Sequence, residues 1–72
     1  MHLSEIIEVV KMRRESLKVT QEMLAEMSGV GLRTLKQFES GKGNPTLLTL
    51  TKICNVLGIE IYLGIKHITI KK

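Results

Sequence analysis

A single cysteine, Cys54, leaves the chain without an internal disulfide, and the two histidines stand far apart at positions 2 and 67. That pair offers no zinc set, so neither a metal nor another cofactor is expected. Aspartate is absent altogether. No glycine-rich phosphate loop follows a strand, and neither histidine has a nucleophile or carboxylate partner in sequence, so the chain is not expected to be an enzyme. Tryptophan is missing too, and Phe38 and Tyr62 are the only aromatics. No apolar run approaches the roughly 18 residues of a membrane span, and no charged start followed by an apolar stretch resembles a signal peptide. The free thiol suits a reducing compartment, which makes the cytoplasm the expected location.

What is present is mostly aliphatic. Seventy-two residues give room for one hydrophobic core, yet 43% of them are hydrophobic. A chain of this size seldom buries enough apolar surface to be stable alone, and it carries none of the usual staples. Oligomerisation is the simplest remedy. The net charge of +4 suits a polyanionic partner without proving one.

The segment Thr20–Gly41, TQEMLAEMSGVGLRTLKQFESG, reads as two short amphipathic helices joined by a tight turn. Thr20 is a good N-cap, and Gln21 follows at the first helical position, where its backbone and side-chain amides can reach a phosphate. Met23, Leu24 and Met27 form the expected inward stripe, with Ala25 small enough for a close crossing. Gly29 tolerates the positive φ of a helix stop. Gly31 is a weak cap for the next helix, which ends at Ser40-Gly41. At about 100° per residue, Leu35 and Phe38 share one side of that helix. Leu32, Arg33, Lys36, Gln37 and Ser40 occupy an arc of roughly 140° on the other. The first side can anchor the helix; the second carries cationic and amide groups suited to phosphates and base edges in a major groove.

Gln21, Leu24-Ala25, Gly29-Val30, Leu35, Phe38-Glu39 and Gly41, followed by Asn44-Pro45-Thr46-Leu47 and Leu57-Gly58, resemble the phage repressor/Cro (Xre) helix–turn–helix family. The likeness covers residues 4 to 58 and ties many positions together at once. A generic helical bundle with the same apolar spacing is the alternative. The resemblance implies a mainly α, four-helix, lambda-repressor-like domain that binds double-stranded DNA. It departs from the family at Lys18, where relatives usually carry glycine after the first helix, so a strained or altered helix end is expected there.

The first helix should run from Ser4, a possible N-cap, to Ser16 or Leu17. Leu3, Ile6, Ile7, Val10, Arg14 and Leu17 fall on one stripe, which brings Arg14 to the core edge. A guanidinium placed there needs an anion. Glu39, flanking the apolar side of the recognition helix, is the expected partner, as the resemblance also implies; the alternative is two solvated charges. After the loop Lys42-Gly43-Asn44-Pro45, Thr46 should cap a helix from Leu47 to Leu57. That helix is apolar nearly all round: Leu47, Leu50, Cys54 and Leu57 on one side, Leu48, Ile53 and Val56 elsewhere. It must therefore be covered on several faces.

Beyond Gly58 the pattern changes. IEIYLGIKHITI, residues 59–70, is β-branched and alternating, which argues for a strand. Ile59, Ile61, Leu63 and Ile65 keep one phase, and the phase switches between Gly64 and His67, where a bulge or break is expected. Antiparallel pairing with the same strand of a second copy would satisfy its edge; a hairpin folded at Gly64 within one chain is the alternative. Residues 1–58 are thus expected to form the DNA-binding domain and 59–72 the dimerisation strand. A helix–turn–helix with such a strand is similar in architecture to HipB-type antitoxins.

These readings predict a homodimeric, sequence-specific regulator of repressor type on a palindromic operator. Arg33 is the candidate for guanine, Gln37 for adenine and Leu32 for a thymine methyl. Thr34, Lys36, Gln21, Lys42 and Asn44 are candidates for phosphate. A second possibility is an antitoxin that neutralises a toxin protein, with DNA binding as autoregulation.

Overall fold

A computed structural model describes residues 2–62, and within them the chain forms four helices. They are α1 (Leu3–Ser16), α2 (Gln21–Ser28), α3 (Leu32–Glu39) and α4 (Leu47–Leu57). α2 packs on both α3 and α4, and α1 packs on the same two. The core at their meeting point is built from Ile7 and Val10 of α1, Leu24 and Ala25 of α2, Val30, Leu35 and Phe38, and Ile53, Cys54 and Leu57 of α4.

Local chemistry accounts for most of the helix ends. Thr20 Oγ1 accepts the Met23 N–H at 3.0 Å, and Thr46 Oγ1 accepts the Thr49 N–H at 3.1 Å. Each satisfies one of the free amides of a first helical turn. α2 stops at Gly29, with φ of 74° and an N–H bond to the Ala25 carbonyl. α4 closes with a pair of reversed bonds, Gly58 N–H to Asn55 and Ile59 N–H to Cys54, the geometry that a left-handed residue permits. α1 ends the same way, through Lys18 to Glu15 and Val19 to Arg14, but the left-handed position holds Lys18, with φ of 57°. The departure at Lys18 therefore keeps the usual shape at the cost of a side chain in a region glycine occupies freely.

Three sequence expectations change. α1 starts at Leu3 with His2 at the cap position, so Ser4 lies inside the first turn rather than capping it. Met23 and Met27 do not face inward: they are 45% and 59% exposed, while Leu24 and Ala25 are buried. Both partners of α2 approach from the Leu24–Ala25 side, where small Ala25 allows a close crossing. Leu17, placed on the inner stripe of α1, is exposed because that helix ends beside it. The other three helices cover α4 on its Ile53, Cys54 and Leu57 side and leave Leu47 and Leu48 exposed, so the several-sided cover its pattern asks for is not completed by these helices alone.

Residues 59–62 form neither helix nor strand, and no strand occurs among the described residues. Ile59 packs on the core and spends its N–H in closing α4, so that N–H is not free for a ladder. Ile61 is partly exposed. Leu63, Ile65 and the phase switch lie outside the described residues.

Candidate nucleic-acid interface

Only three residues, Gly29-Val30-Gly31, separate α2 from α3. Val30 is buried and pins the turn to the core, and its N–H bonds the Ser28 hydroxyl at 3.2 Å. Beneath α3, Leu35 is fully buried and Phe38 is 1% exposed. These two side chains fix the rotation of the helix. Arg33, Thr34, Lys36, Gln37 and Ser40 consequently reach solvent. Ser40 turns its hydroxyl back to the Gln37 carbonyl at 2.9 Å, which occupies its donor.

The other predicted contact residues are arranged around that face. The Lys42 N–H bonds the Gln37 carbonyl at 3.0 Å, which holds the start of the loop against the end of α3. Gly43 lies against the end of α3, where a Cβ on it would stand 3.6 Å from atoms of Gln37 and Phe38. Lys42 and Asn44, on either side of it, are exposed. Leu32 is half-buried and packs partly on the core, so only part of it is open to a ligand.

Arg14 and Glu39 meet. Arg14 Nε donates to Glu39 Oε2 at 2.8 Å and its Nη2 to Oε1 at 2.9 Å, the two-pronged geometry a guanidinium and a carboxylate favour. Its Nη1 donates to the Val19 carbonyl at 2.9 Å. Among the described residues Glu39 is the one buried charged residue, 6% exposed. The hydrogen bond to Glu39 pushes the Arg14 pKa above its already high ordinary value, so the guanidinium stays charged.

Two contacts had no sequence signal. Gln21 Nε2 donates to Glu39 Oε1 at 3.1 Å, joining the first residue of α2 to the last of α3. Arg13 Nε donates to the Leu57 carbonyl at 2.9 Å, satisfying the C-terminus of α4 from α1. The bonded residues stand 18 and 44 positions apart, and only the packing brings them together. Cys54 is buried, and burial raises its thiol pKa, which suits a packing role. Among the described residues no helix is long and apolar enough to cross a membrane, and no three His, Cys, Asp or Glu side chains converge.

The Helix-turn-helix family matches residues 10–63. The chain is similar to the cryptic phage CTXphi transcriptional repressor RstR of Vibrio cholerae, with 39% identity over 49 residues, 68% of this chain and 44% of that protein. It is also similar to the SPbeta prophage-derived uncharacterized HTH-type transcriptional regulator YonR of Bacillus subtilis, 36% identical over 53 residues, 74% of this chain and 49% of that one. An uncharacterized HTH-type transcriptional regulator of Methanothermobacter thermautotrophicus is 36% identical over 52 residues, 72% of this chain and 75% of its own. The chain thus spans about half the length of the two phage-derived relatives.

Proposed function

The chain belongs to the Xre/Cro helix-turn-helix family, and from that membership we propose that it is a sequence-specific, DNA-binding transcriptional regulator of repressor type, acting as a dimer. One observation carries the reading: α3 turns an exposed row of Arg33, Thr34, Lys36 and Gln37 outward while Leu35 and Phe38 moor it from below. A helix so mounted can enter a major groove. Arg33 pairs with the O6 and N7 of guanine, Gln37 with adenine, and the open part of Leu32 meets a thymine methyl. Thr34, Lys36, Gln21, Lys42 and Asn44 hold phosphates and set the register.

The dimer reading is supported by unclaimed apolar surface. α1, α4 and residues 59–62 enclose a groove of about 540 Å³, lined by Ile6, Val9, Leu47, Leu50, Ile59 and Ile61 among others. Val9, Leu47 and Leu48 are each more than half exposed, more than a small monomer would leave open without a partner. In this reading residues 1–58 bind DNA and 59–72, through Ile59, Ile61, Leu63 and Ile65, join two copies. Two recognition helices then reach successive major grooves about 34 Å apart on a palindromic operator.

The test is selection from a random duplex library, with the mass of the bound protein measured in parallel. A two-fold symmetric site bound by a particle of twice the chain mass is expected. Failure to retain any duplex at low ionic strength would overturn the DNA-binding reading; an asymmetric site bound by a single chain would overturn the dimer.

A further inference from the structure

We propose that Glu39 is a positioning residue for DNA binding: acting through Gln21, it presets the polar corner of α2 before a phosphate arrives. The inference rests on the DNA-binding reading above and deepens it.

The geometry asks more of Glu39 than an ion pair needs. Arg14 alone engages both carboxylate oxygens, at 2.8 and 2.9 Å. Oε1 nevertheless accepts a further bond from Gln21 Nε2 at 3.1 Å. Gln21 opens α2 directly after the capping residue Thr20, and its bond to Glu39 sets it beside the C-terminal end of α3. A carboxylate only accepts hydrogen bonds, so the amide must present its nitrogen to Glu39 and cannot flip. One N–H is thereby committed and the second is left to donate. The rotamer freedom that a long side chain would lose on meeting DNA is already lost in the free protein, which favours binding.

The charge arithmetic agrees. A bare carboxylate beside the DNA backbone would repel phosphate. Here the two-pronged bond from Arg14 neutralises it, and its burial, 6% exposed, keeps it out of the interface. Arg14 also holds the Val19 carbonyl, one residue before the cap of α2. The same cluster therefore fixes the entry to α2, its first side chain and the end of α3.

The experiment is a cycle of variants in the full chain, read by binding to a random-sequence duplex at low ionic strength and, separately, by thermal unfolding. Replacing both charges together, Arg14→Met with Glu39→Leu, removes the acceptor without stranding a buried charge and is expected to leave the fold standing. Its affinity should fall about 3- to 10-fold, the scale of one hydrogen bond. In a Gln21→Met background the same double replacement should cost nothing further. Unchanged affinity in the folded double variant, or the same loss in both backgrounds, overturns the proposal. A second measurement needs no altered core: the Gln21 side-chain amide of the free wild-type protein should be as ordered as the backbone by NMR relaxation. Free rotation there overturns it as well. Wild-type protein that binds no duplex sinks the DNA-binding reading instead, and the NMR result distinguishes the two failures.

Discussion

α2 and α3 are both eight residues long and only three residues apart, yet they are held in opposite ways. α2 is secured at its ends. Thr20 caps it, Glu22 stands in its first turn, and Gly29 closes it with a left-handed residue. Its sides are less committed, burying Leu24 and Ala25 while two methionines face solvent. α3 has no side-chain cap and no acidic residue in its first turn. It is secured from beneath, by Leu35, Phe38 and the Glu39 ion pair. An isolated eight-residue helix is unstable in water, so each needs support from outside itself. The difference teaches where that support comes from: chain-local caps for the helix that frames the site, and tertiary packing for the helix that carries it. A helix held by one face leaves the opposite face free of structural duties.

Four substitutions test that contrast. Phe38→Ala should be the most damaging, costing about 3–5 kcal/mol of stability, a large part of what a small domain possesses. Denaturant unfolding measures it, and a loss below about 1 kcal/mol would mean α3 is not moored from beneath. Arg33→Ala should leave stability within about 0.5 kcal/mol of wild type while weakening the selected duplex by about 1–3 kcal/mol. Titration of selected and random duplexes checks this, and an equal loss on both would remove Arg33 from base readout. Thr20→Ala should cost about 1 kcal/mol in thermal or denaturant unfolding, because α2 depends on its cap. Gly31→Ser should have the smallest effect, a gain of a few tenths of a kcal/mol from the cap α3 lacks. A Cβ there has room, its nearest neighbour being Thr34 Oγ1 at 3.8 Å. If Gly31→Ser stabilised more than Thr20→Ala destabilised, the contrast between the helices would fail.

How legible each feature was follows the same division. Thr20, Thr46, Gly29 and Gly58 could be read as helix boundaries because a cap or a left-handed stop involves residues within five positions of one another. The exposed arc of α3 was equally readable, since the 3.6-residue period separates its two sides whatever lies around them. The inner side of α2 was not. Met23 and Met27 are apolar at helical spacing, and only the approach of α3 and α4 from the Leu24–Ala25 side leaves them outside. The side of α4 that the other helices cover was unreadable for a related reason: that helix is apolar nearly all round, so its pattern cannot say which side faces them. The bond from Gln21 to Glu39 left no trace in the pattern, because it spans 18 positions and depends on the angle between two helices.

By itself, then, the order of residues determined the four helices, nearly all of their ends and the chemical character of the recognition face, all set by interactions a few residues in range. The tertiary structure alone decided which apolar side chains are covered, where the groove between α1 and α4 lies open, and that Arg14, Glu39 and Gln21 share a single cluster. The physical reason is that burial and long-range hydrogen bonds depend on how helices cross, and crossing angles are settled by the fit of whole surfaces rather than by any one segment.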